Sequence, residues 1–224
     1  MREPHLPRAL VAEFIGSALL LAIVVGSGIM GEQLAAGNTA VALLLNAIAT
    51  GAGLLVLIVL LGPLSGAHFN PAVSLLFAAR GELPPRTLLA YLPVQLAGTI
   101  AGVLLAHAMF DLPLIQHSQH LRHGPGQWTG EIVATAGLML SILGALATRP
   151  TWTPLLVAAW IVAGYAFTSS TSFANPAVTV ARSLTDTFAG IAPADVGGFV
   201  LAQLAGMTIG GLLGGWLWPS ESRN

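Results

Sequence analysis

The tripeptide Asn-Pro-Ala occurs twice in this chain, at Asn70-Pro71-Ala72 and at Asn175-Pro176-Ala177. Asn is a favoured N-cap and Pro fits the first helical position. Each triplet therefore predicts a helix whose free N–H groups and positive dipole end lie at the motif. A single copy would be an ordinary cap, because Asn-Pro pairs commonly open turns. Two copies that each open a short apolar segment predict a pore.

Two glutamates lie in apolar stretches of the two halves, at Ala12-Glu13 and Gly130-Glu131. Carboxylates inside a membrane are functional candidates, and this pair could carry protons in a coupled transporter. Their matched positions favour a shared supporting role instead. The chain has no Cys, and it shows no nucleophile elbow, phosphate-binding loop or convincing metal-ligand set, so no enzyme activity is predicted.

The composition is that of a membrane protein. Hydrophobic residues make up 55% of the chain and charged residues 8%, and the mean hydropathy is +0.81. These values lie outside the range of soluble globular domains. The net charge of -1 gives no electrostatic basis for binding nucleic acid.

Six segments are each long enough to cross a hydrocarbon core, which requires about 20 apolar residues. The first begins after Arg2 and Arg8, as a signal peptide would, but its apolar run exceeds the usual length of a signal sequence. The predicted spans cover residues 9–30, 39–61, 88–110, 130–148, 152–169 and 196–218. Two segments that contain the triplets, 66–80 and 171–187, are too short to cross and are predicted to re-enter the membrane.

The two halves of the chain form an internal repeat. The glutamates, the triplets and the sequence Gln-Leu-Ala-Gly at Gln95 and Gln203 recur in the same order. Three spans per unit is an odd number, so the second unit must be inverted in the membrane. We predict one all-α channel domain over 1–224, with halves at about 1–112 and 126–224 and an outer loop at about 111–127.

Inversion brings the two helix starts tip to tip near the middle of the membrane. Their positive ends would repel cations, including protons, at that point. The amides of Asn70 and Asn175 can donate to a passing oxygen atom, and the preceding backbone offers carbonyl acceptors. The residues predicted to line the pore are Gly66, Ala67, His68, Phe69, Thr171 and Phe173. The predicted cargo is a small, uncharged, hydroxylated solute.

Arginine placement predicts the orientation. With a cytoplasmic N-terminus, only Arg122 and Arg182 of the eight arginines fall outside, as the positive-inside bias requires. Both termini are therefore expected in the cytoplasm, and the protein in the plasma (inner) membrane.

The segment Ser65-Gly66-Ala67-His68-Phe69-Asn70-Pro71-Ala72-Val73 resembles the first motif region of the aquaporin and aquaglyceroporin family, the major intrinsic proteins. The resemblance covers essentially the whole chain. It implies six transmembrane helices plus two re-entrant half-helices, a homotetramer with one pore per subunit, passive transport and no cofactor. It also implies that Glu13 and Glu131 accept hydrogen bonds from the re-entrant loops.

The second motif departs from the family, which usually places Arg after the triplet where this chain has Val178. By the family's spacing, the other three positions of the selectivity filter fall on Thr50, Ala163 and Ser172. This set predicts a wide filter without charge or aromatic side chain. The run from Ser172 to Arg182 is similar to a bacterial branch associated with arsenic resistance. The expected solutes are polyols such as glycerol, arsenous acid and water.

Several residues have two interpretations. Arg182 lies one turn beyond Val178 and either reaches the outer vestibule of the pore or pairs with Asp186, the interpretation we favour. His68 is a pH gate or, preferentially, a static wall residue. The outer-loop residues His117, His120 and His123 have a spacing that suits a metal on a helix, but a solvated linker is favoured.

Two other functions remain open from the sequence. One is an ordinary water or glycerol channel whose filter has drifted. The other is a secondary transporter that couples solute movement to protons through Glu13 and Glu131.

Overall fold

The computed structural model describes residues 5–219, and the regular secondary structure of this part of the chain consists of helices. Six helices are long and apolar enough to cross a membrane. They are α1 (Leu6–Leu34), α2 (Thr39–Ser65), α4 (Pro85–Met109), α5 (Pro125–Thr148), α6 (Thr153–Phe167) and α8 (Val196–Leu217). Short 3-10 turns, Pro150–Trp152 and Pro193–Asp195, precede α6 and α8. The predicted all-α membrane fold is confirmed.

Two short helices begin at the prolines of the two triplets. They are α3, with 9 residues (Pro71–Ala79), and α7, with 7 residues (Pro176–Arg182). Asn70 Oδ1 accepts a hydrogen bond from the N–H of Ala72 at 2.9 Å, and Asn175 Oδ1 accepts one from Ala177 at 3.1 Å. At about 1.5 Å per residue, neither helix is long enough to cross a bilayer.

The order long, long, short, long therefore occurs twice along the chain, in α1 to α4 and in α5 to α8. Packing follows the same order, because α1 lies against α4 and α5 lies against α8. Residues of both halves join one apolar core, which includes Val25, Phe69, Met139 and Ala181.

Glycines allow these helix pairs to approach closely, as small residues do in membrane bundles. A Cβ added at Gly98 of α4 would lie 2.6 Å from the carbonyl oxygen of Phe14 in α1. In the second half, Gly206 and Gly210 of α8 meet the carbonyl oxygens of Ile132 and Ala136 in α5 in the same way. The repeated glycines thus set the distance between the helices that carry the glutamates and their partners.

We expect Gly98→Ala to destabilise the protein by about 1–3 kcal/mol, because the added methyl group forces α1 and α4 apart. The measurement is the thermal unfolding midpoint in detergent. Gly197→Ala is the matched control, since a Cβ at Gly197 meets no atom within 4 Å. Equal midpoints for the two variants would contradict the close-packing explanation.

Candidate functional site

The two Asn-Pro-Ala triplets are joined by a reciprocal pair of hydrogen bonds. Asn70 Nδ2 donates to the carbonyl oxygen of Ala174 at 2.8 Å, and Asn175 Nδ2 donates to that of Phe69 at 2.8 Å. Each amide therefore donates one N–H to a carbonyl oxygen in the other half of the chain. The second N–H of each NH₂ group remains available to a third molecule.

A buried carboxylate supports the first re-entrant segment. Glu13 Oε1 accepts hydrogen bonds from Ser65 Oγ at 2.7 Å and from the N–H of His68 at 2.9 Å. Its Oε2 accepts from the N–H of Phe69 at 2.7 Å and from Gln95 Nε2 at 2.8 Å. Four donors thus converge on one carboxylate, which suits an acceptor-only group.

The second re-entrant segment has the same support. Glu131 Oε1 accepts from the N–H of Phe173 at 2.9 Å, and Oε2 accepts from the N–H of Ala174 at 2.9 Å and from Gln203 Nε2 at 2.6 Å. Gln203 also donates to Thr179 Oγ1 at 2.8 Å. These contacts fit a supporting role for both glutamates.

The supported backbone is strained. Non-glycine residues with positive φ occur just before each triplet, namely Ala67, Phe69, Thr171, Ser172 and Ala174. Each such residue costs about 1–3 kcal/mol and persists only where its surroundings fix it. The carboxylate hydrogen bonds supply that constraint, because they bind the N–H groups of Phe69 and Ala174 directly.

A cavity of about 300 Å³ runs along this support and is lined by residues of both halves. One set of lining residues is aliphatic and comes from the long helices: Leu20, Val24, Leu54, Leu138, Ile142, Val157 and Ile161. The predicted site residues that line it are Thr50, Gly66, Ala67, His68, Phe69, Asn70, Ser172, Phe173, Asn175, Val178 and Arg182. Thr171 is not among the lining residues, so the structure does not support its predicted place in the pore wall.

Comparison with known proteins agrees with this geometry. A sequence model of the family described as "Major intrinsic protein" matches residues 1–172. The chain is 54% identical over 217 residues to the aquaglyceroporin AqpS of Rhizobium meliloti (strain 1021), covering 97% of this chain and 93% of that protein. The chain belongs to the major intrinsic protein family. It is an integral membrane channel for small neutral solutes and not an enzyme.

Other members of the family are more distant. The lens fiber major intrinsic protein of Gallus gallus is 32% identical over 154 residues, which cover 66% of this chain and 57% of that protein. The X-ray structure of the aquaglyceroporin from Plasmodium falciparum superposes with a TM-score of 0.70 at 19% identity and covers 95% of each chain. This structural likeness confirms the fold.

The prediction that Ala163 is one of the four residues of the selectivity filter is wrong. Ala163 is exposed and lies in a separate surface groove between α5 and α6, beside Trp160 and Trp218. Tyr165 lines the cavity instead, with 3% of its surface exposed, and its hydroxyl lies 3.3 Å from Thr50 Oγ1. Two residues along a helix turn the side chain by about 200°, so the two positions face opposite ways.

A sequence signal for Tyr165 was present. Val157, Ile161 and Tyr165 recur every four residues on α6, and all three line the cavity. That periodicity marks one face of a helix. Spacing from the family's motifs missed the residue, whereas the periodicity of α6 itself indicates it.

The expected ion pair between Arg182 and Asp186 is also wrong. Asp186 Oδ1 accepts a hydrogen bond from the N–H of Gln119 at 2.7 Å. Arg182 is 2% exposed and lines the cavity. Its guanidinium carbon lies 3.3 Å from the centroid of the Phe173 ring, and its Nε donates to the carbonyl oxygen of Ala189. The wall of the cavity therefore carries a positively charged side chain, contrary to the prediction of an uncharged filter.

Arg122 of the outer loop is a residue that the sequence did not single out beyond its charge. Its Nε donates to the carbonyl oxygen of Gly190 at 2.7 Å. Its two terminal nitrogens donate longer hydrogen bonds to the carbonyl oxygens of Phe188 at 3.4 Å and Ser170 at 3.5 Å. Its guanidinium carbon lies 5.1 Å from the Phe173 centroid. No local pattern reveals such a contact, because its partners are distant in sequence.

The outer-loop histidines do not lie on a helix. Within residues 5–219, no group of three metal-binding side chains is placed to hold an ion. Hydrogen bonds fix the backbone of the loop to the segment before α8. The N–H of Ala192 donates to the carbonyl oxygen of His120 at 2.7 Å, and the N–H of Arg122 donates to Asp195 Oδ2 at 2.7 Å. His117, His120 and His123 have exposed side chains on this anchored loop, which is not a free linker.

His68 occupies a packed position in the cavity wall. Its Nδ1 lies 3.0 Å from Ser74 Oγ, and its ring stacks on Phe77 with centroids 4.9 Å apart. These contacts hold the ring in one orientation, as a static wall residue requires.

We expect Glu131→Gln to lower both stability and solute flux. A glutamine presents one acceptor oxygen where Glu131 serves three donors, so at least one buried N–H loses its partner at a cost of about 1–3 kcal/mol. Unfolding midpoints in detergent and water flux in proteoliposomes measure the two effects. The exposed Glu32 supplies the control Glu32→Gln, and an equal effect of both variants would contradict the supporting role.

Proposed function

We propose that this protein is a passive channel for small hydroxylated solutes, with glycerol-like polyols, arsenous acid and water as its cargo. The observation that carries the proposal is the reciprocal contact of Asn70 and Asn175 inside the cavity, which leaves one amide N–H of each residue for a solute oxygen. Each free amide N–H can donate a hydrogen bond to the oxygen of an uncharged hydroxylated solute. Helix starts at both triplets add positive potential and disfavour cations.

The composition of the wall supports polyols as cargo. Aliphatic side chains such as Leu20, Leu138 and Ile161 can contact a carbon backbone, while Thr50, Asn70 and Asn175 can bond hydroxyl groups. The similarity to a protein named aquaglyceroporin points the same way. Arsenous acid is a small uncharged triol at neutral pH and matches the same wall chemistry.

The arrangement in the membrane is also part of the proposal. Arg80, Arg86 and Arg149 would lie on the cytoplasmic side with both termini, and Arg122 and Arg182 on the outer side, in a plasma (inner) membrane. Large apolar side chains such as Leu60, Leu89 and Leu212 are exposed on the helix surfaces. We assign these surfaces to lipid and to the neighbouring subunits of a homotetramer.

The direct test is flux into proteoliposomes that contain the purified protein. We expect glycerol, arsenous acid and water to enter faster than into empty vesicles, with solute flux that rises linearly with concentration and ignores an imposed pH difference. Water flux without glycerol or arsenous acid flux would instead show an ordinary water channel. Saturating, pH-driven flux would show a coupled transporter.

We expect Val178→Arg to reduce glycerol and arsenous acid flux by about tenfold while water flux survives, because the larger side chain fills a fitted passage. Val178→Leu is the control for size without charge. The measurement is the ratio of solute to water permeability in proteoliposomes. An unchanged ratio in the Arg variant would remove position 178 from the constriction.

A further inference from the structure

The surface groove between α5 and α6 is separate from the cavity and has a volume of about 450 Å³. Small residues line much of it, namely Gly144 and Ala145 of α5 and Ala159 and Ala163 of α6. The two alanines of α6 are exposed. The groove therefore opens to the surroundings of the bundle, which inside a membrane are lipid chains or another protein.

The polar side chains of α5 and α6 at this groove already have partners. Ser141 Oγ and Thr148 Oγ1 each donate to the carbonyl oxygen four residues earlier, at 2.8 Å and 2.7 Å. Trp160 Nε1 donates to the carbonyl oxygen of Ala134 at 2.9 Å. Since these donors are committed within the protein, an apolar occupant fits the groove better than a polar one.

The equivalent contact of the first repeat, between α1 and α2, is closed. A Cβ added at Gly31 of α1 would lie 3.0 Å from the carbonyl oxygen of Ala42 in α2. Arg149 follows Glu131 by the same number of residues as Gly31 follows Glu13. Where the first repeat packs a glycine against backbone, the second repeat therefore has an arginine at the end of a groove.

Arg149 brings an uncompensated positive charge to this end of the groove. It directly follows α5 and its last residue, Thr148, which lines the groove. Arg149 is exposed, one of its terminal nitrogens donates to the carbonyl oxygen of Thr148 at 3.1 Å, and it forms no ion pair within residues 5–219. A guanidinium group presents five N–H donors in a fork that matches a phosphate, so most of them remain for one.

The surroundings of Arg149 are those of a membrane interface. Trp152, three residues further on, is 54% exposed, and tryptophans concentrate at the level of lipid headgroups. Arg80 and Arg86 lie on the same side of the bundle, since the loop between α3 and α4 and the turn between α5 and α6 border one mouth of the cavity. A cluster of arginines at this level attracts anionic lipid.

A second copy of the chain fits this end of the groove less well than a lipid does. Within residues 5–219, Glu82 is the exposed carboxylate on the side of Arg149, and it already pairs with Arg80 at 2.8 Å. The other exposed carboxylates lie toward the opposite end of the bundle, at Glu32, Asp111 and Asp186. A lipid phosphate supplies the counter-charge that a neighbouring copy of this part of the chain does not.

The length of the groove matches one leaflet. Its lining residues on α5 run from Leu140 to Thr148, a rise of about 12 Å at about 1.5 Å per residue. Half of a hydrocarbon core is about 15 Å thick. One acyl chain of a lipid whose headgroup lies at Arg149 therefore matches the groove in depth as well as in polarity.

We propose that the groove between α5 and α6 binds an anionic phospholipid, with one acyl chain against Ala159 and Ala163 and the phosphate on Arg149. In the orientation proposed above, this lipid belongs to the cytoplasmic leaflet. The bound chain supports the pore wall from behind, because other faces of α5 and α6 carry the cavity residues Ile142 and Ile161. The site is independent of which solutes the channel passes.

Native mass spectrometry of the detergent-purified protein tests the phosphate contact, with phosphatidylglycerol and phosphatidylcholine of identical chains as probes. We expect phosphatidylglycerol to bind about fivefold more tightly, the effect of one arginine near an anionic headgroup. Arg149→Gln should abolish this preference. Arg86→Gln is the matched control, because Arg86 is an exposed arginine on the same side, in the first turn of α4, and should keep the preference.

A second variant tests the acyl chain. Ala159→Phe places a ring in the groove, and we expect it to weaken the binding of both lipids and to remove the rise in unfolding midpoint that phosphatidylglycerol gives the unmodified protein. Ala166→Phe is the control, since Ala166 is also exposed on α6 but does not line the groove. Unfolding midpoints without lipid show whether each variant folds, and Ala163→Phe replaces Ala159→Phe if that variant does not.

The outcomes separate the lipid site from its alternatives. Equal binding of the two lipids by the unmodified protein, or a preference that survives Arg149→Gln, would overturn the proposal. Loss of the oligomer in Ala159→Phe with lipid binding unchanged would overturn it too and would show that a second copy fills the groove. Each of these results leaves solute flux through the unmodified protein, and so the proposed function, untouched.

Discussion

Backbone that is not helical inside a membrane must find its hydrogen-bond partners within the protein, because lipid offers none. Two buried carboxylates meet this requirement here, Glu13 for the segment before Asn70 and Glu131 for the segment before Asn175. They fix left-handed residues that would otherwise relax. The meeting of the triplets and the cavity beside them depend on these bonds, and the bonds in turn depend on close glycine packing of α1 on α4 and α5 on α8.

Features encoded by adjacent residues were predictable from the sequence. The six long helices follow from the length of apolar runs, and the starts of α3 and α7 follow from Asn-Pro pairs at cap positions. The order of elements in the two halves follows from the recurrence of Glu, Asn-Pro-Ala and Gln in one order. These features need no knowledge of which side chains meet across the bundle.

Features that depend on the direction of a side chain were not predictable in the same way. Ala163 was assigned by spacing from a motif, yet the face of α6 that meets the cavity is the one that carries Tyr165. Arg182 ends α7, four residues before Asp186 in the sequence, but its side chain contacts the ring of Phe173 and the carbonyl oxygen of Ala189 instead. An arginine follows the environment that best solvates its charge, and that environment is assembled only by the fold.

The two repeats share the residues that support the re-entrant segments but differ in the pair of side chains that stack beside each triplet. Both repeats carry the same carboxylate, the same glutamine and the same triplet, because each must stabilise a re-entrant segment by the same bonds. The stacked pair beside each triplet is under no such constraint, so it can be His68 with Phe77 in one repeat and Phe173 with Arg182 in the other. Valine at position 178 therefore does not make the pathway uncharged, because Arg182 lines the same cavity. The charge lies one helical turn beyond Val178, at Arg182, where the ring of Phe173 and the carbonyl oxygen of Ala189 stabilise it.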